Sequence, residues 1–496
     1  MHSSSHRRSA RVRHESRSLP FASLTTVFAL AVFALAPCTG HALDVHVAPT
    51  GSDTAAGTAA APLKTLQAAF TAMLRAGPGT SNNIVLAPGT YKPVAPLVVN
   101  TPTNVTIAVR AADPAKPPVI DGSSLPVPTE RKVLKEAALF FTRGSIVLED
   151  LRIINTPTDG VRAEQVNPFQ MRRCTLEDIY GHGVRVAGGR DAVIDSCEVK
   201  GVGGTGIWVI QGSRGTLLPS NAVISNNRVS DVNRWKDGTY LGNGIYVEGV
   251  GMTVRQNTIR DSVQLPSTLG IRVEGNNHLV EKNRLTHVGY GDAAGIYING
   301  RFLERRGNIV RFNYIEDCSS GVYLDDRASG NTVSGNVIVK AKLTGILIGG
   351  GQDNSVTNNI VTDSASFLLL DNRGMGWASH KHPFKDDFAK LQTALTNTET
   401  KSLYYKAYPT LAALKPANAL LPLNNRVSGN YASRESAGMR LMDMDGLLGG
   451  KHQAAFQQWN RLTAPAPFTP PSNKVFDLGR LGAAGLNTDQ LGAQAK

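Results

Sequence analysis

The chain has only four cysteines among its 496 residues, none at zinc-ligand spacing, which removes the zinc-stapled modules from consideration. Walker loops, dinucleotide fingerprints and nucleophile elbows are missing as well, so nucleotide-dependent and serine-hydrolase chemistries have no motif to rest on. The apolar stretch 21–36 is too short for a comfortable membrane span, and no later segment is long enough to be one. The sequence also lacks a basic run and a helix-turn-helix pattern, which argues against nucleic acid as the partner despite a formal charge of +13. That positive balance favours an anionic partner of another kind.

What is present begins with a leader-like stretch. Arg7, Arg8, Arg11, Arg13 and Arg17 precede the apolar run, and Gly40, His41 and Ala42 follow it, the layout of a secretory signal peptide cleaved near Ala42. Pro37 before Cys38 argues against lipid attachment. Removing residues 1–42 takes away five arginines and one glutamate, so +13 becomes +9. The expectation is a secreted or periplasmic monomer with no stable membrane insertion.

Length alone would suggest several domains, but an internal repeat argues for one. A tetrapeptide of Gly, Ile or Val, any residue, then an apolar residue recurs at Gly160, Gly183, Gly206, Gly244, Gly270, Gly295, Gly321 and Gly345, at intervals of 23, 23, 38, 26, 25, 26 and 24. Interleaved with it is an apolar residue followed three positions later by Asn227, Asn257, Asn283, Asn313, Asn336 or Asn359. Two short strands per repeat, apolar at every second residue, suit one coil of a parallel β-helix and fit neither a helical repeat nor a propeller blade. Inward side chains then stack in columns and Asn amides bond their neighbours at the turns. An all-β parallel β-helix of about ten coils over residues 43–438 is expected, the coils being right-handed.

The ends complete it. Thr65 is placed to N-cap a helix with Leu66, Phe70, Met73 and Leu74 on one face, which would cover the open first coil. A helical excursion interrupts the repeat at about 374–420, Asn430 resumes the ladder, and 439–496 reads as an irregular tail packing on the β-helix. Cys174 and Cys197 take the Asn position on consecutive coils, about 5 Å apart and within disulfide range. Cys318 is then left over.

The stretches "PTGSDTAAGTAAAPLKTLQAA", "IVLAPGTY", "GDAAGIYINGR", "GVYLDDRASG", "GILIGGGQDN" and "LLLDNRGMGW" resemble secreted right-handed parallel β-helix proteins of the pectin-lyase-like group, over nearly all of the mature chain. The resemblance implies that fold and, since better-known relatives cleave glycans, a carbohydrate-active role. It is weaker for reaction, because this fold hosts lyases, hydrolases, epimerases and adhesins.

Strand periodicity singles out the candidate residues. Two outward columns run down the stack: Arg162, Arg185, Trp208, Tyr246, Arg272, Tyr297, Tyr323 and Leu347, and beside them Glu164, Ala187, Ile210, Glu248, Glu274, Asn299, Asp325 and Gly349. Trp208, Tyr246, Tyr297 and Tyr323 offer faces to sugar rings, and Arg272 and Arg301 can grip a carboxylate. Asp325, Asp326, Asp292, Glu274 and Glu248 are the candidate catalytic carboxylates. At about 4.8 Å per coil, Glu248 and Glu274 lie roughly 5 Å apart, the spacing of a retaining pair, and Glu274 and Asp325 roughly 10 Å apart, near the inverting range. Like charges at that distance are expected to push one pKa upward. Asp325 is the carboxylate best placed to face a sugar, with Asp326 entering the turn to support it or hold a cation. Asp353 and Asn354 read as turn residues, and Asp371 with Arg373 as a salt-bridged corner.

Three readings follow. A glycoside hydrolase would use two of those carboxylates and no cofactor. A polysaccharide lyase would instead remove the C5 proton of a uronate, using Ca²⁺ or Lys236, Arg272, Arg301 or Arg327. A non-catalytic glycan-binding surface protein would need only the aromatic and Arg column. Carboxylate density favours hydrolysis, and the basic charge favours a uronate-containing polysaccharide as the partner. His182 in "YGHG" resembles the Gly-His-Gly of polygalacturonases, but there the Asp pair comes before the histidine, so that site is not carried over.

Overall fold

The computed structural model describes residues 43–75, 81–128, 136–234, 242–262, 268–376 and 387–469. The leader-like segment 1–42, Lys236 and the end of the tail lie outside these residues. Among the described residues, the strands form a 14-stranded sheet and a 23-stranded sheet. Successive coils pair in parallel, for instance Val184 on Val161 and Ile207 on Val184. The result is a parallel β-solenoid of about ten turns.

Each repeated motif has a physical task in the stack. The second and fourth residues of the tetrapeptide point inward, and Val161, Ala163, Ile207, Val209, Ile271 and Val273 are buried in one continuous core. Burying each Val or Ile contributes about 1.5–3 kcal/mol. The leading glycine permits the close stacking: a Cβ at Gly270 would stand 2.4 Å from the carbonyl oxygen of Gly295, and one at Gly321 would stand 2.5 Å from that of Gly345. Any side chain there would drive coils apart.

The asparagines form the expected ladder. The Nδ2 of Asn227 donates to Oδ1 of Asn257 at 2.9 Å, and the series continues through Asn283, Asn313, Asn336 and Asn359 to Asn430. Each Oδ1 also accepts the backbone N–H of the preceding rung, as Asn283 does from Asn257 at 3.0 Å. A second ladder, not anticipated from the sequence, runs through Asn308, Asn331, Asn354, Asn425 and Asn460. Its signal was available: each of these asparagines stands two residues before a buried or half-buried aliphatic residue, in "NIV", "NTV", "NSV", "NRV" and "NRL".

Cys174 and Cys197 do continue the first ladder, but the bridge between them is not formed. Both thiols, and that of Cys318, are free and buried. Cys174 Sγ donates toward the Arg172 carbonyl at 3.3 Å and Cys197 Sγ toward that of Asp195 at 3.4 Å. Each thiol thus finds a backbone acceptor within its own turn, as the Asn amides do.

At the start, α1 (Leu66–Arg75) covers the first coil. Thr65 Oγ1 accepts the N–H of Ala68 at 3.1 Å, and Leu66, Ala69, Phe70 and Met73 are buried whereas Leu74 is exposed. The excursion contains α2 (Asp387–Ala394), α3 (Thr398–Ala407) and α4 (Pro409–Ala412). Residues 377–386 of the expected excursion lie outside the described residues. Leu391, Leu395, Tyr404, Tyr408 and Leu411 pack on Leu303. The buried Arg306 guanidinium reaches Asp353 at 2.7 Å and Thr410 at 3.1 Å. Asp353 therefore anchors the excursion, a role beyond shaping its own turn, and Asn354 is a ladder rung.

The tail differs from the irregular segment expected. Met439–Met442 pairs in parallel with Leu368–Asp371, α5 (His452–Trp459) follows, and Asn460 caps the second ladder. The tetrapeptide is lost here, yet the rung and the pairing persist through residue 462 and beyond.

Two outcomes are expected. Asn283→Ala should destabilise the protein by roughly 2–4 kcal/mol, because it strands the backbone N–H of Asn257 and removes the amide donor to the Val254 carbonyl inside the core; denaturant unfolding of variant and parent, with unchanged circular dichroism, measures it. Thiol titration of the unfolded chain lacking residues 1–42 should yield three reactive thiols, and a value of one would restore the bridge.

Candidate active site

The outward columns stack in the expected register, Tyr246 on Arg272, Arg272 on Tyr297 and Tyr297 on Tyr323, with Glu248 on Glu274 and Asn299 on Asp325 beside them. The first column packs on itself. The Arg185 guanidinium lies 4.6 Å over Trp208, Trp208 stacks on Tyr246 at 5.2 Å, and Arg272 lies 4.9 Å from Tyr246 and 5.9 Å from Tyr297. Tyr297 meets Tyr323 edge-on at 5.4 Å, and Arg373 lies 5.5 Å from Tyr323. These side chains are half-buried, or buried in the case of Tyr323 and Arg373. A ladder of this kind stiffens the face and leaves edges and hydroxyls, more than open ring faces, toward a ligand.

The glutamates behave differently from expectation. Glu248 accepts from the Tyr246 hydroxyl at 3.1 Å. Glu274 is held between two guanidiniums, with Arg272 Nε at 2.9 Å and Arg305 Nη1 at 2.6 Å. Burial raises its pKa, but the charges and hydrogen bonds of Arg272 and Arg305 outweigh this and hold it below the ordinary carboxylate value. The expected upward push from a neighbouring carboxylate therefore does not prevail at Glu274, which is a fixed anion and not a proton donor. Arg305 was not foreseen, since it comes from the loop after Ala294–Asn299 and no spacing rule points it back one coil.

The aspartate pair closes the strand Tyr314–Asp325. Asp325 accepts from Tyr297 Oη at 2.6 Å, from Arg373 Nη1 at 2.5 Å and from the backbone N–H of Asp326 at 2.7 Å. Burial and the Asp325 charge keep the Tyr297 phenol protonated as that donor. Asp326, at a positive φ of 44°, turns toward Arg301, whose Nε stands 3.0 Å from its Oδ2. Burial first, then the adjacent Asp325 charge, raise the Asp326 pKa, with Arg301 opposing them. The upward push expected of close carboxylates falls on Asp326. Arg373 and Asp371 form the salt-bridged corner, with Nη2 2.6 Å from Oδ2, and the same guanidinium reaches Tyr323 Oη at 2.7 Å. Asp292, exposed in the turn before Ala294, is near enough to Tyr323 to act on its hydroxyl electrostatically. Trp208 and Tyr246 lie several coils away from this corner. Among the described residues, no group of three or more His, Cys, Asp and Glu is placed to hold a metal ion. The Asp325 and Asp326 oxygens already face two guanidiniums and a phenol, a poor cradle for a cation.

Residues 159–244 and 243–376 match the family model of the right handed beta helix region. Over these residues the chain is similar to right-handed β-helix proteins. No curated protein matches it. Among solved structures, the complex of XylC with xylose is 10% identical, with 81% of this chain and 86% of that one covered at a TM-score of 0.49. A pectate lyase is 14% identical, with 67% and 78% covered at 0.43. A lacto-N-biosidase from Eubacterium ramulus is also 14% identical, with 66% and 65% covered at 0.43. All three lie below a TM-score of 0.5.

A second cluster stands on the earlier coils of the β-helix. Asp159 is fully buried, its Oδ1 accepting the N–H of His182 at 2.8 Å, while its Oδ2 has no hydrogen-bond partner. His182 Nδ1 accepts the N–H of Thr205 at 2.9 Å. Burial lifts the Asp159 pKa from 3.8 to about 7, against the pull of the His182 N–H, Arg162 and Arg185. Burial lowers that of His182 to about 3, helped by Arg185 and Arg162. The histidine is thus a neutral structural rung.

Folded Asp159 retains its proton where the unfolded chain has released it, so its contribution to stability falls as pH rises from about 4 to about 7. Asp159→Asn does not titrate. Its stability relative to the parent should rise across that window by on the order of 1 kcal/mol per pH unit and then level off. Denaturant unfolding at pH 5, 6, 7 and 8 checks this, and a pH-independent difference would place Asp159 in another protonation state.

Proposed function

We propose that this protein is an exported glycan-degrading enzyme, a glycoside hydrolase in which Asp326 is the proton donor. The observation that carries this reading is the adjacent carboxylate pair on the outward face: Asp325 is fixed by Arg373 and Tyr297, and burial together with its charge raises the pKa of its neighbour Asp326. A general acid needs that asymmetry. Asp326 delivers its proton to the glycosidic oxygen as the bond to the anomeric carbon breaks. Water bonds to that carbon, and Asp292 takes the water's proton. Tyr297 and Tyr323 position the Asp325 end of the site, and Arg301, 69% exposed at its side chain, meets the substrate beside Asp326. The basic charge of the chain supports an anionic, uronate-containing glycan.

Of the cations an elimination could use, Arg301 is exposed but paired with Asp326. Arg272 is engaged by Glu274 and Arg327 is buried, while Lys236 lies outside the described residues. Export rests on the leader-like sequence before Ala42.

Incubation with acidic and neutral polysaccharides, read for reducing ends and for ultraviolet absorbance, tests the reaction: reducing ends without new absorbance are expected, and both together would mean a lyase. Asp326→Asn should lower kcat about 10²–10⁴-fold in a folded protein, and full activity would remove Asp326 from the mechanism. Because Arg301 lowers the Asp326 pKa, Arg301→Ala should extend kcat/KM to higher pH. A limb moving to lower pH would contradict the assignment.

A further inference from the structure

The loop from Gly300 to Gly307 has two sides. Arg301 pairs with Asp326 at 3.0 Å and Arg305 with Glu274 at 2.6 Å. Phe302, Glu304 and Arg305 of the same loop also line a cavity of about 570 Å³, whose other walls are Arg214 and Gly215 on one side and α2 with α3 on the other. That volume lies within the range of small-ligand sites.

Its chemistry is one-sided. Among the described residues lining it, Arg214, Arg305 and Lys390 stand with one carboxylate, Glu304. Arg305 is 7% exposed and its Nε has no hydrogen-bond partner, while its guanidinium lies 4.5 Å over the ring of Phe302, which is 40% exposed. A half-open aromatic ring backed by a buried cation suits a sugar ring bearing a negative charge. The walls are also fixed. Thr400 Oγ1 donates to the carbonyl of Gly215 at 2.8 Å and Tyr404 Oη to that of Arg214 at 2.9 Å, so the excursion is bound to the loop that carries Arg214.

We propose that this cavity is a subsite for a uronate unit of the glycan, contributed by the helical excursion and the 214 and 300–307 loops instead of by the sheet. The inference rests on the glycan reading above. The uronate carboxylate is bound by Arg214 and Lys390, its ring lies on Phe302, and Arg305 joins the subsite to Glu274.

The test uses calorimetry on the full mature chain carrying Asp326→Asn, so that turnover is slow on the timescale of the titration. The probes are hexamers of galacturonate, mannuronate and glucuronate, with xylohexaose and cellohexaose as neutral controls. At least one hexauronate should bind, and adding Arg214→Ala with Lys390→Ala should weaken it about 10-fold or more and flatten its dependence on salt. Neutral hexamers should change less than about twofold. Lys390→Glu alone, on the surface of α2, should act in the same direction if the double variant folds poorly. Hexauronate affinity that is unchanged in these variants, or binding by neutral hexamers only, overturns the subsite and leaves the glycan reading standing. Binding by no hexamer, with no polysaccharide cleaved, overturns both.

Discussion

A buried amide needs partners for both its N–H groups and its oxygen, and this protein satisfies that need one coil at a time. Asn257 donates to Asn283 and accepts from Asn227, and the same exchange runs to Asn430. A slip of one residue would leave every rung unsatisfied at once, at about 1–3 kcal/mol for each group. The register of the outward columns is a by-product of that constraint. Residues as far apart in sequence as Tyr246 and Tyr323 share one face because the rungs beneath them are locked.

On that face the governing effect is competition between burial and paired charge. Burial alone raises a carboxyl pKa, as at Asp159 with one backbone donor and more distant cations. Two guanidiniums in contact reverse the sign at Glu274. At Asp326 a single, largely exposed Arg301 is too weak to do so against burial and the Asp325 charge. Glu274 thus shifts opposite to Asp159 and Asp326 for reasons visible in their immediate neighbours.

The sequence was most legible where it repeats. The glycine tetrapeptide and the first Asn ladder give the fold, the inward and outward faces and the pairings Glu248–Glu274 and Asn299–Asp325. The second ladder was equally periodic from Asn308 to Asn354, but it lies at the other strand's entrance, away from the repeated tetrapeptide. The continuing coil after residue 438 was obscured because its strands are only two to four residues long. The partners that decide the electrostatics were illegible for a different reason. Arg305 reaches Glu274 from 31 residues away, Arg373 reaches Asp325 from 48, and Arg306 reaches Asp353 from 47. Each sits on a loop or corner, where no period dictates direction. A disulfide was compatible with the spacing of Cys174 and Cys197, yet spacing does not weigh the carbonyl acceptors that the thiols use instead.

The excursion leaves the ladder at Asn354 and Asn359 and rejoins it at Asn425 and Asn430, a separation of 71 residues where neighbouring rungs are 23 apart. Lengthening a closed loop by that factor costs only about 1 kcal/mol of chain entropy. The amides on either side meet as though nothing had been inserted. Architecture of this sort separates heredity of shape from heredity of surface: a lineage can gain, lose or exchange whole helical segments at a rung without renegotiating the core. Related chains are therefore expected to diverge in length between rungs long before they diverge in the rungs themselves.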